Sequence, residues 1–75
     1  MRIKIINFYK ILYQGNIISI IAPGLHGYFQ ILKNHAPFIS ILKNGFLKLE
    51  PQDEDDKKEI KGILQVKKNL VIVIL

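Results

Sequence analysis

Cysteine is absent from the chain. Its absence leaves no disulfide frame and no thiolate metal site, and it fits a reducing compartment. Histidine is nearly absent: His26 and His35 are the two present, fewer ligands than a metal ion needs. Acidic residues are missing from most of the chain, since all six lie between Glu50 and Glu59. The eleven basic residues less Lys57 and Lys58 leave nine elsewhere, with no acid among them. A surface so one-sided suits nucleic acid, anionic lipid or an acidic protein, or it simply keeps an apolar domain in solution.

Helical periodicity is also lacking, because Gly or Pro interrupts each candidate run. Residues 11 to 32 carry no charge and have the length of a membrane span. Gln14, Gly15, Asn16, Pro23, Gly24, His26, Gly27 and Gln30 exclude a lipid-facing helix there. A signal peptide is not expected either, since Lys10 interrupts the apolar region and no small-residue cleavage site follows.

What is present is β-forming sequence. The 75 residues are 49% apolar, and fifteen of them are isoleucine. That length makes one domain, residues 1–75, which buries only about 60% of its unfolded surface and gains from a partner. The strand-like segments are 2–6, 10–14, 17–22, 28–32, 38–42, 46–50, a returning strand ending in 63–66, and 70–75. Gly15-Asn16 and Lys43-Asn44-Gly45 read as hairpin turns, and Lys67-Lys68-Asn69 as another. Residues 23–27 are a Pro/Gly turn, 33–37 a loop, and 51–56 a solvated acidic tip. In 46–50, Leu47 and Leu49 share one face, and Phe46, Lys48 and Glu50 the other. Eight or nine short, mostly antiparallel strands of this kind imply an all-β sandwich or barrel. Leu70 to Leu75 is apolar at every position, so both of its faces are expected to be covered, one by the core and one by a partner.

His35 sits in a loop between two of these strands. Nucleophilic catalysis would need a nucleophile and an orienting acid beside it, and the acids are confined to one stretch. A small hydrolase is therefore a weak reading. Before Ala36-Pro37, the ring suits a backbone hydrogen bond through one nitrogen. A second alternative is a basic β-barrel that binds single-stranded nucleic acid. Its stacking rings would be Phe8, Tyr9, Tyr13, Tyr28, Phe29, Phe38 and Phe46, though most adjoin apolar residues and read as core.

The stretch 23–45, PGLHGYFQILKNHAPFISILKNG, closely resembles the epsilon subunit of rotary ATP synthases, called delta in mitochondria. The matching positions are Pro23, Gly24 and Gly27, then Ile31, Leu32, His35, Ala36 and Pro37, then Lys43 and Gly45. The opening strands and the closing pair, GILQVKKNLVIVIL, are similar to that family as well. Two departures stand out. Lys61-Gly62 replaces a frequent pair of glycines, and Tyr28 replaces a frequent acid in the loop that the resemblance implies would face the rotor ring.

The resemblance implies a flattened β-sandwich that serves as a non-catalytic part of the central stalk. It would bind the gamma subunit and the membrane rotor ring, so that proton flow is coupled to ATP synthesis. It would have no cofactor, no metal and no active site. It would lie peripheral to the membrane, on the cytoplasmic face of the bacterial inner membrane. The expected partner-facing residues are Leu25, Tyr28, His35, Val71 and Val73. The family's C-terminal helical hairpin is expected to be absent, because the chain stops where it would begin.

Overall fold

A computed structural model describes residues 1–8, 10–51 and 59–75, with residues 59 and 60 described by backbone alone. Tyr9 and the acidic tip, including Asp53 to Asp56, lie outside the described residues. Among the described residues eight strands are formed: β1 (Arg2–Asn7), β2 (Lys10–Asn16), β3 (Ser19–Gly24), β4 (Gly27–Leu32), β5 (Phe38–Phe46), β6 (Lys48–Glu50), β7 (Glu59–Lys67) and β8 (Leu70–Ile74).

The strand order is β2-β1-β8-β7-β5-β3-β4, and β6 also pairs with β3. All pairs are antiparallel except β1 with β8, which runs parallel. A parallel pair cannot be closed by a tight turn, and here the whole intervening chain is the crossover. β3 has β4 on one edge. Its other edge is shared: β5 meets it at Gly24↔Leu42, and β6 meets it at Ser19–Ile21. The sheet folds over at this junction. β3, β4 and β6 form one layer against β1, β2, β5, β7 and β8.

One core fills the space between the layers. It includes Ile20, Ile31 and Leu49 from the smaller layer and Ile3, Leu64, Val66, Val71 and Val73 from the larger. Leu47 and Leu49 face inward, while Phe46, Lys48 and Glu50 are exposed, as the alternation predicts.

Two predicted turns are not turns. β2 runs through Gly15-Asn16, with Ile3↔Gly15 and Arg2↔Asn16 in register. The chain instead reverses between Asn7 and Lys10, where Phe8 takes φ 55°. Lys43-Asn44-Gly45 lies inside β5, at a bulge between Leu42 and Gly45 in its pairing with β7. The glycine there answers a close approach. A Cβ on Gly45 would stand 2.7 Å from both Pro23 Cβ and the Tyr28 hydroxyl. The Lys67-Lys68-Asn69 turn is formed as predicted. Lys68 and Asn69, with φ 42° and 60°, make the two-residue loop of left-handed backbone that suits the twist of a hairpin.

Candidate partner interface

His35 lies in the loop between β4 and β5. Its backbone N–H donates to the Leu32 carbonyl at 3.2 Å, and its ring Nδ1 contacts the Ala36 carbonyl at 2.7 Å, a bond that requires the proton on Nδ1. The ring also meets the edge of Phe38 at 5.5 Å, and Phe38 in turn meets Phe29 at 5.4 Å. Asn34 N–H donates to Asn69 Oδ1 at 3.2 Å, and Arg2 N–H donates to the Asn69 carbonyl at 2.9 Å. Asn69 thus joins the His35 loop, the β7–β8 turn and the start of β1. These contacts tie the His35 loop into one end of the sandwich, where His35 itself is exposed.

Leu25 and Tyr28 lie at the other end. Gly24 pairs with Gly27, leaving Leu25 and His26 as the exposed hairpin tip. The Tyr28 hydroxyl accepts a hydrogen bond from the Phe46 backbone N–H at 3.2 Å, which holds the ring across the β5 bulge. Leu25 and Tyr28 line an open groove of about 650 Å³ with Ile39, Ile41 and Ile63.

Val71 and Val73 are not available to a partner, contrary to the sequence expectation. Both are fully buried in the core. β8 does have two apolar faces, but the outward one belongs to Ile72 and Ile74. The register explains this: Val73 pairs with Ile5 and Leu64, both inward-facing, whereas Ile74 pairs with Ile6 and Ile63.

Following that outward face across the sheet uncovers a feature that sequence reasoning missed. Ile41 pairs with Ile63, Ile63 with Ile74, Ile74 with Ile6, and Ile6 with Ile11. Five isoleucines therefore form one row across β5, β7, β8, β1 and β2, spanning four inter-strand steps, or roughly 19 Å. Ile41, Ile63, Ile74 and Ile11 are 56, 41, 43 and 53% exposed. A contiguous apolar strip of this kind on a small protein marks a contact surface. The alternation in FISIL hinted at it, but only the register aligns the five residues.

The nucleic-acid alternative does not gain a stacking face. Tyr13, Phe29 and Phe38 pack against the core, which leaves Phe8, Tyr28 and Phe46 as the exposed rings among the described residues. No group of three potential metal-ligating side chains occurs among the described residues.

The sequence profile of the ATP synthase delta/epsilon chain beta-sandwich domain matches residues 1–75. The chain belongs to this family. The epsilon chain of Chlorobaculum tepidum is 42% identical over 67 residues, covering 87% of this chain and 76% of that one. The epsilon chain of Leptospira borgpetersenii is 33% identical over 75 residues, covering 99% of this chain and 59% of that one. The fold is similar, with a TM-score of 0.77 at 15% identity, to a chain in the cryo-EM structure of the Tetrahymena thermophila mitochondrial ATP synthase central stalk and c-ring. That match covers 97% of this chain and 60% of the other. Membership of the family makes the domain part of a membrane-associated complex. Among the described residues, no helix is long and apolar enough to cross a membrane.

Proposed function

We propose that this domain is a non-catalytic coupling element of the ATP synthase central stalk, bound to the gamma subunit on one side and to the rotor ring at one end. The observation that carries the reading is the row of five outward isoleucines, which offers a stiff, apolar contact surface to a protein partner. Gamma covers this row. The Leu25-His26 tip and Tyr28 face the ring. The Tyr28 hydroxyl accepts from the Phe46 N–H, which holds the ring in place, and the exposed side chain is offered to the rotor ring. The domain is peripheral to the membrane, on its cytoplasmic side in a bacterium, and residues 1–75 make one domain.

The test is binding of the gamma subunit of the same enzyme to the wild-type domain and to Ile63→Lys and Ile74→Lys. Each substitution is expected to weaken binding by at least about tenfold while circular dichroism stays unchanged. Unaltered affinity in both folded variants would place gamma elsewhere and remove the basis of the proposal.

A further inference from the structure

Basic residues flank the isoleucine row: exposed Lys61 lies two residues beyond Ile63 on one side, and three more lie on the other. Two residues from the row toward the His35 end, the outward positions are Lys4, Ile72 and Gln65, in register with one another. Two residues further are Arg2, Leu70 and Lys67, again in register. Arg2 and Lys67 are exposed, and Lys4 is half-buried. β1, β2, β5 and β8 contain no acidic residue. The acid of β7, Glu59, belongs to the opposite end of that strand from Lys67. Glu50 belongs to β6 in the other layer. Among the described residues, the face therefore changes from apolar to uncompensated basic over about 13 Å.

This geometry constrains what can sit on the row. Lys4 and Ile6 are two residues apart on one strand, so their side chains emerge only about 7 Å apart. A partner broad enough to cover Ile6, Ile74 and Ile63 also removes water from Lys4, and in part from Arg2 and Lys67. An ammonium group stripped of water without a counter-charge opposes binding. We infer that the surface of gamma seated on the isoleucine row carries carboxylates along the side that meets Arg2, Lys4 and Lys67. The inference rests on the gamma reading above and adds the chemistry of the partner. The apolar row supplies contact area, and Arg2, Lys4 and Lys67 add charge complementarity along its His35 side.

The experiment measures association and dissociation of gamma at about 20 mM and about 300 mM salt, where the screening length falls severalfold. It compares wild type with Arg2→Glu/Lys4→Glu/Lys67→Glu, with the milder Arg2→Gln/Lys4→Gln/Lys67→Gln, and with Lys48→Glu in β6 as a control on the other layer. The charge-reversed set is expected to weaken binding on the order of 100-fold at low salt, mainly through slower association, with a smaller difference at high salt. The glutamine set is expected to weaken it by about tenfold, and the control by less than about twofold. If the reversed set does not fold, the glutamine set decides the question. Carbodiimide coupling of the wild-type complex should join Lys4 or Lys67 directly to a carboxylate of gamma.

Binding that is unaffected by the glutamine set and independent of salt overturns the inference while leaving the gamma reading standing. Complete absence of gamma binding to wild type overturns both. A third arm uses vesicles containing phosphatidylglycerol. If the substitutions abolish vesicle binding but leave gamma binding intact, the basic positions serve a lipid surface and the inference is wrong.

Discussion

Replacing adjacent residues of β8 one at a time separates its two faces. Val73 is fully buried between Ile5 and Leu64, whereas its neighbour Ile74 is 43% exposed. Val73→Ala removes two carbons, worth about 1.6 kcal/mol of transfer free energy. The space left behind raises the loss to roughly 2–3 kcal/mol. Total stability for a domain of this length is on the order of 4–11 kcal/mol. Each kilocalorie shifts the melting midpoint by about 4–8 °C at this size, so the midpoint should fall by about 10–20 °C. Val73→Lys places an ammonium among aliphatic side chains at a cost of several kcal/mol, and the variant should show no cooperative melt. Ile74→Lys loses part of its pairing with Ile6 and Ile63, under about 1 kcal/mol, and should melt within about 8 °C of wild type. The assay is thermal denaturation followed by circular dichroism, with sedimentation velocity alongside. The wild-type domain, with its row exposed, should self-associate more strongly than Ile74→Lys. Equal destabilisation by Val73→Lys and Ile74→Lys, with a monomeric wild type, would show that both faces are buried within the fold and would refute the reasoning.

Gly62→Ala should lower the melting midpoint by more than about 10 °C, because the added Cβ collides with the Ile74 carbonyl, a backbone atom that cannot swing aside. A melting curve within a few degrees of wild type would refute the tight β7–β8 contact. Asn69→Gly should cost about 1 kcal/mol by deleting the Asn34 bond while keeping the left-handed backbone, and Asn69→Val should cost clearly more, a ranking that urea denaturation can read. His35→Gln should leave ATP synthesis by the assembled enzyme within severalfold of wild type, since the ring is bonded to the backbone. A loss of several hundredfold with assembly intact would instead indicate proton transfer.

Only part of the candidate interface could be read from the amino-acid order. Leu25 and Tyr28 were expected at a surface and line an exposed groove, because a Pro/Gly hairpin tip has nowhere else to go. His35 was expected to bond its own loop backbone and does so. Val71 and Val73 were assigned to the outside because a strand apolar at every position gives no sign of which parity faces the core. A shift of one residue exchanges the two faces.

Which residues enter strands follows from local chemistry, since β-branched runs between breakers have few other conformations open to them. The family follows too, through the Pro-Gly turn and the His-Ala-Pro loop. What the glycines are for emerges only once the strands pack. Gly15 and Gly45 look like turn residues locally, yet they lie within strands, Gly45 beneath Pro23 and the Tyr28 hydroxyl. The row of Ile41, Ile63, Ile74, Ile6 and Ile11 likewise exists only in the folded sheet. Alternation within a strand is a local property, but alignment between strands depends on pairing partners far apart in the chain. The parallel pairing of β1 with β8 joins the two ends of the described chain, and nothing in either segment alone specifies it.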